Sequence, residues 1–337
     1  RYTLRLLTSQ QFQRAAALVC AAELERRRRP EAWGNEPFRL GLWVGSGVTP
    51  KRVDEAARQL KAVNERSSRR VDALQLHSCP WCGRELGPSD VTVDETLGRV
   101  YVHCSDDTGE CPFAQGGEVA EGLPVVSTDE EVYRLVPSFI IGTVDKFARL
   151  AREGEATSIF GYVGRKCDRH GYVPLLDDEG KSDYGSCAIK DNGYHPSKHG
   201  HPVAYVHPCD RLRPPDLIIQ DELHLITGAL GTTVGLFEVA IDSLCTWHDA
   251  DGVRVRPLVV ASSATVRNVA DQVRGLYGRD VTVFPPQVVN ASDTFFSKEV
   301  TPGPGSPGRR YVGVCSTGVR LTTAEVQTAT VLMKGAQ

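Results

Sequence analysis

Residues 217–224 read Leu217-Ile218-Ile219-Gln220-Asp221-Glu222-Leu223-His224. Three apolar residues and a neutral one run straight into two carboxylates. A short continuous apolar run bounded by polar residues is the pattern of a strand buried on both faces, as in a parallel sheet. The acidic pair then falls at the carboxyl end of the strand, the edge where open α/β sheets bind ligands. Some forty residues later Pro257-Leu258-Val259-Val260-Ala261 repeats the pattern and ends in Ser262-Ser263-Ala264-Thr265. The two runs predict neighbouring buried strands, with acids at the end of one and hydroxyls at the end of the other. The hydroxyls are expected to bridge to His224.

The same alternation extends outward. Tyr2 to Leu7 predicts a short strand, Gln10 to Arg28 a helix, and Phe38 to Val44 a second strand. Thr49-Pro50 reads as an N-cap followed by Pro, opening a helix to Arg66. Thr128-Asp129-Glu130-Glu131 reads as a capping box, Phe139-Ile140-Ile141-Gly142 as a strand, and Thr143 as the cap of the next helix. A helix follows the Gly228–Gly231 stretch and another ends near Gly278, with strands at Val281–Phe284 and Tyr311–Val314. Alternating strands and helices predict an α/β fold with a parallel sheet.

Two stretches break the alternation. Residues 71–127 and 161–212 are rich in Cys, His and Gly and poor in periodic apolar residues. Cys79-Pro80-Trp81-Cys82 and Cys104 with Cys111 supply two pairs of thiolates, the donor set of a structural zinc site, and Gly83 suits the tight turn of a knuckle. His77 and His103 are the alternatives to those sulfurs. In the second stretch Cys167 with His170, and Cys187 with His195, form a second candidate zinc set. Cys209, His199, His201 and His207 compete for the last place. Four protein ligands leave no open position for water, so both sites read as structural, and no H-e-x-x-H zinc-protease pattern is present. Cys20, Cys245 and Cys315 stand alone in apolar surroundings and read as core residues.

Composition narrows the class. The chain has 337 residues, 41% hydrophobic and 24% charged, with 10 Cys and 9 His. These proportions exclude a disordered or fibrous chain. No apolar run reaches the ~18 residues of a membrane span, and the start lacks the pattern of a secretory signal. Cysteines clustered with histidines, without an export signal, point to metal binding in a reducing cytoplasm rather than to disulfides. Residues 1–70 carry 15 Lys and Arg against 7 Asp and Glu, and the remainder 24 against 35. The basic first fifth is either a footprint for phosphate or, at Arg26-Arg27-Arg28-Arg29, a solvated helix end.

Asp221-Glu222-Leu223-His224 and Ser263-Ala264-Thr265, in that order, resemble motifs II and III of the superfamily-two DExH helicases and translocases. Thr143-Val144-Asp145-Lys146-Phe147 looks like motif Ic and Arg5 to Gln11 like motif Ia. Arg1–Thr8, Gly142–Phe147 and Leu217–Ile226 together resemble the helicase-like subunits of the bacterial DISARM anti-phage system. The resemblance implies an ATP-dependent DNA motor that works in the cytoplasm with a partner subunit. Asp221 then holds Mg²⁺, Glu222 activates water, and His224 with Ser263, Ala264 and Thr265 couples the nucleotide site to the rest. DNA backbone contacts fall to Arg5, Thr8, Gln11, Thr143, Asp145 and Lys146. The implied organisation is a RecA-like domain over 1–70, 128–160 and 213–285, interrupted by zinc-binding insertions at 71–127 and 161–212. Residues 286–337 are a linker and the start of a second RecA-like domain.

One departure matters. No G-x-x-x-x-G-K-[ST] occurs in the chain, and Gly45-Ser46-Gly47 lacks the phosphate-reaching Lys. The arginine-bearing motif VI is absent too. The expectation is a fragment that alone neither binds ATP tightly nor hydrolyses it. A zinc-bearing nucleic-acid or protein-binding module without enzymatic activity is the alternative. A metal-dependent nuclease is disfavoured, because no further carboxylates are spaced to converge on Asp221 and Glu222.

Overall fold

The structure is a computed structural model that describes residues 5–45, 47–65, 70–148, 150, 152–175, 187, 193–226, 228–263, 269–286, 288–309 and 312–335. It divides into two units, residues 1–281 and 282–337.

The first unit begins with helix α1 (Arg5–Arg28), a short α2 (Pro30–Trp33) and strand β1 (Leu40–Trp43). Then come α3 (Val53–Asn64), the hairpin β2 (Val91–Asp94) and β3 (Arg99–Val102), β4 (Val125–Val126), α4 (Asp129–Leu135), β5 (Phe139–Gly142) and α5 (Val144–Phe147). Strands β6 (Val163–Cys167), β7 (Gly171–Pro174), β8 (Tyr194–His195) and β9 (Ala204–Pro208) follow. The unit closes with β10 (Leu217–Gln220), α6 (Gly228–Leu244), β11 (Trp247–His248), β12 (Arg254–Val255), β13 (Leu258–Ala261) and α7 (Val269–Tyr277).

The predicted mixed α/β architecture with parallel strands is present, but the parallel strands form two sheets. One has the order β4-β1-β5, with Leu40 opposite Val125 and Phe139. The other is the pair β10-β13, with Leu217 opposite Leu258 and Gln220 opposite Ala261. The Cys/His-rich stretches hold antiparallel strands, the hairpin β2-β3 and the sheet β7-β6-β9-β8.

The first sheet is sealed. All four residues of β1 are buried, and Phe12, Val19 and Leu24 of α1 share one core with Leu40, Leu42 and Val44. That core also takes in Val91, Val100, Val102, Phe113 and Leu123. The 71–127 stretch is therefore not a separate appendage with little core of its own, as its composition implied. Its apolar residues, sparse in sequence, are pooled with those of α1 and β1. The Thr128 capping box is present: Thr128 Oγ1 accepts from Glu131 N at 3.2 Å and donates to Glu131 Oε2 at 2.9 Å.

Several local expectations are corrected. Residues 5–7 belong to α1, not to a strand, because the Ala- and Leu-rich segment behind them propagates helix back through Arg5; residues 1–4 lie outside the described residues. The helix after Pro50 starts at Val53 with Arg52 at its cap, so Thr49 caps nothing. Thr143 is at the cap of α5 but makes no capping bond. Strands β10 and β13 are not buried on both faces: Leu217, Ile219, Leu258 and Val260 are exposed. Residues 281–284 and 312–314 form no strand.

Three of the four arginines at the end of α1 are spent locally. Arg26 and Arg27 pair with the buried Glu23, and Arg29 pairs with Glu25. The solvated-helix reading holds for the exposed Arg28 and Arg29 and fails at Arg26, which is itself buried.

In the second unit Phe284, Phe295 and Phe296 stack edge to face with ring centres 5.0–5.8 Å apart, and all three remain exposed. Helix α8 (Leu321–Gly335) buries none of its residues.

Candidate functional site

Three sites emerge from the residues singled out above. At the first, Asp221 and Glu222 follow β10 directly, and Ser262 follows β13. The parallel register sets the two strand ends side by side, so that Ser262 N donates to Gln220 O at 2.9 Å and Ser262 Oγ donates to Asp221 Oδ1. The same oxygen accepts from Glu222 N at 3.0 Å. Glu222 adopts a left-handed backbone, φ 53 and ψ 47. That conformation is costly for a residue with a Cβ and is found most often where function demands it. It turns the carboxylate towards His224, whose Nδ1 lies 3.3 Å from Glu222 Oε2. Asp221, Glu222 and His224 are all half-buried. The strand end thus presents two carboxylates, with the Ser262 hydroxyl bonded to the first and the His224 ring beside the second.

The hydroxyl that reaches the acidic strand end is Ser262, one residue before the expected set, and its partner is Asp221. Ser263 is half-buried beyond it, and Ala264 and Thr265 lie outside the described residues.

The second site is the sulfur cluster. Cys79, Cys82, Cys104 and Cys111 converge, their sulfurs all within 4.8 Å of one another. Cys79 and Cys111 sulfurs are 3.9 Å apart and those of Cys82 and Cys104 are 3.4 Å. A tetrahedron with Zn–S of about 2.3 Å has edges of about 3.8 Å, so the four thiols fit zinc. Gly83, at φ 81, makes the knuckle turn and donates to Cys79 O at 2.9 Å. Asp106 braces the other pair, accepting from Cys111 N at 2.7 Å and from Thr108 Oγ1 at 2.7 Å. The Thr108 hydroxyl, the Cys111 amide and Arg84 hold the Asp106 carboxyl down at about 2. Burial pushes the Cys104 thiol up and the Cys111 thiol up to about 11, so metal capture there releases protons. His77 and His103 are not in the cluster.

The third site joins Cys167, His170, Cys187 and His195, the set preferred from sequence. Cys167 ends β6, His170 sits in the turn to β7, and His195 is on β8. Cys167 Sγ is 3.6 Å from His170 Nδ1, and Cys187 Sγ is 3.0 Å from His195 Nε2. Bonding to Cys187 and His170 holds the Cys167 thiol down at about 3, the ionised form that binds metal. His170 turns its other nitrogen, Nε2, to Thr96 O at 3.2 Å, the outer contact that orients a ligating imidazole.

The competitors are occupied elsewhere. His201 Nε2 meets Asp94 Oδ2 at 2.7 Å, His199 Nδ1 meets Thr96 Oγ1 at 2.9 Å, and His207 lies 3.4 Å from Asp168. Cys209 is half-buried outside the cluster, Cys20 and Cys245 are buried, and Cys315 is exposed rather than in a core.

The residues expected to touch DNA are not gathered on one exposed surface. Lys146 is 1% exposed, with Nζ 2.5 Å from Asp129 Oδ2 and 5.6 Å from the Trp43 ring. Its charge is neutralised inside the protein. Thr143 is buried, Asp145 is exposed and Gln11 is half-buried. Arg5 and Thr8 lie on α1, and their side chains are outside the description.

Sequence reasoning placed the start of α4 at its Thr128 cap but missed that this helix ties the parts together. Six of the seven residues of α4 are buried, four of them charged. Glu130 Oε2 accepts from Val53 N at 2.9 Å, Glu131 Oε1 from Val100 N at 2.9 Å, and Asp129 holds Lys146. Arg134 donates to His170 O at 2.8 Å and to Leu97 O at 2.8 Å, joining both Cys/His-rich stretches. A charge-dense helix reads from sequence as solvent-facing, and only the partners show otherwise.

These features define an α/β protein with parallel strands, an acidic strand end and two Cys/His clusters suited to metal. No family model matches the chain. It is similar to the DISARM protein DrmA of Bacillus paralicheniformis, with 35% identity over 343 residues, 99% of this chain and 28% of that protein. The chain thus spans under a third of the length of the curated relative it matches.

Proposed function

We propose that this chain is the nucleotide-hydrolysing core segment of a DNA helicase or translocase acting in anti-phage defence, within a RecA-like domain carrying two zinc-binding insertions. The observation that carries the reading is the pairing of Asp221-Glu222 with Ser262 across adjacent parallel strand ends. The likeness to DrmA supplies the defence context.

In this reading Asp221 holds a Mg²⁺ ion, which neutralises charge on the phosphates of ATP. Glu222 orients the attacking water and accepts its proton. His224, held by Glu222, and Ser262–Thr265 relay the state of the site to the DNA-binding face. Phosphoryl transfer depends on positioning and charge neutralisation, and the amides and Lys of a phosphate loop are not among these 337 residues. DNA, ATP and a partner subunit are therefore assigned to the whole protein. Arg5, Thr8, Gln11 and Asp145 remain the candidates for DNA contact.

The test is DNA-stimulated ATP turnover by the whole protein, beside Glu222→Gln. Removing the base is expected to abolish turnover while Mg-ATP still binds. Undiminished turnover in Glu222→Gln would defeat the assignment. The two metal-suited clusters favour one other reading, a zinc-bearing binding module without catalysis. DNA affinity with no ATP turnover by the whole protein would select it.

A further inference from the structure

We propose that a phosphate-binding site lies at the amino-terminal ends of β1 and β4, in the sheet that does not carry the acidic and hydroxyl groups. A shallow surface depression there is lined by Arg27, Arg39 and Arg99, with Glu23 and Glu121. It is independent of the nucleotide reading, since none of its residues belongs to the Asp221 site.

The two carboxylates play different parts. Glu23 is 1% exposed and fully committed: it accepts from Arg26 at 2.7 and 2.8 Å, from Arg27 Nε at 2.9 Å and from Phe38 N at 2.9 Å. Glu121 is 41% exposed and meets both remaining arginines through one oxygen, Arg39 at 3.0 Å and Arg99 at 3.1 Å. The arginines are held from behind. The Arg99 Nε faces Glu131 Oε1 at 3.2 Å, and the Arg39 and Arg99 side chains are each only 11% exposed.

Two preoriented guanidiniums converging on one oxygen is the arrangement that Arg pairs offer to phosphate. Glu121 stands where a phosphate oxygen would sit, as an internal occupant. Glu121 is the exposed member of this network, so its carboxylate can turn to solvent only as an incoming phosphate takes over its contacts to the two largely buried guanidiniums. The charged groups lining the depression sum to +1, and to +2 once Glu121 leaves, which a phosphate dianion neutralises. The shallow opening suits a terminal phosphate, whether free or carried as a monoester.

The test uses the whole chain, with inorganic phosphate titrated against chloride at equal ionic strength and binding read by calorimetry. Glu121→Gln is expected to bind phosphate about tenfold more tightly than the parent, worth about 1.4 kcal/mol. Arg39→Gln in that background is expected to lose at least about tenfold. Arg27→Gln, on the helix surface, gives a second reading should Arg39→Gln fail to fold. Adenosine monophosphate binding tighter than phosphate would mark a monoester as ligand, and equal binding would mark free phosphate. Phosphate affinity that is absent in Glu121→Gln, or unmoved by Arg39→Gln and Arg27→Gln, overturns the proposal.

Discussion

The two parallel sheets are built from similar apolar runs and end in opposite circumstances. In β4-β1-β5, Leu40, Leu42 and Trp43 are at most 2% exposed, and Trp43 Nε1 donates to Tyr133 Oη at 2.9 Å. In β10-β13, paired residues Leu217 and Leu258, Ile219 and Val260, project together from one face and stay exposed. Parallel sheets are stable when both faces are covered. The first sheet is covered because α1, α3 and the 71–127 stretch pool their apolar residues over it. The second has α6 and α7 near one face, with Ile218 among the residues packed against the Trp43 core. Local apolarity makes a strand, and burial depends on what else is brought to it.

The largest effect that could break this comparison is metal loss. The wild-type chain is expected to retain about two zinc ions, and Cys79→Ser or Cys187→Ser about one, by metal analysis. Because Cys79, Cys104 and Cys111 sit in the same core as Phe12 and Leu40, chelation should loosen α1 and β1 together with residues 71–127. Hydrogen exchange that left α1 and β1 protected while 71–127 opened would show two independent units instead.

Next in size are the sealed sheet's polar and aromatic anchors. Trp43→Ala should cost about 3–5 kcal/mol in chemical denaturation, as a fully buried aromatic. Lys146→Met should cost a similar ~3–5 kcal/mol by stranding the Asp129 carboxylate, and Asp129→Leu in the same chain should restore much of it. A Lys146→Met chain of unchanged stability would return Lys146 to the pool of DNA contacts.

A smaller effect depends on pH. The Asp106 carboxyl is held at about 2, below its unfolded value, so its contribution is complete above about pH 4. It is lost as pH falls towards 2. The difference in stability between wild type and Asp106→Asn should therefore shrink over that interval, followed by circular dichroism. A difference constant down to pH 2 would show that Asp106 does not brace the Cys104–Cys111 loop through its charge.

The smallest effect belongs to the uncovered sheet. Ile219→Ala, at 44% exposure, should cost less than about 1 kcal/mol. A cost near that of Trp43→Ala would mean that this face is covered in solution.

The sequence by itself determined what short-range chemistry can encode. The capping box at Thr128, the helix from Gln10 to Arg28, the strand at Phe139–Gly142 and the Cys79–Cys82 knuckle all depend on neighbours within a few positions. The second metal set was also legible, because Cys and His at such density have few alternative uses. Tertiary structure decided the rest. It set Ser262 against Asp221 through strand register, took Lys146 into an ion pair with Asp129, and made the charged helix α4 an interior hub. A charged side chain carries no local sign of whether it faces water or a partner folded in from far along the chain. That choice rests on long-range packing, where the desolvation of each charge is offset by groups distant in sequence.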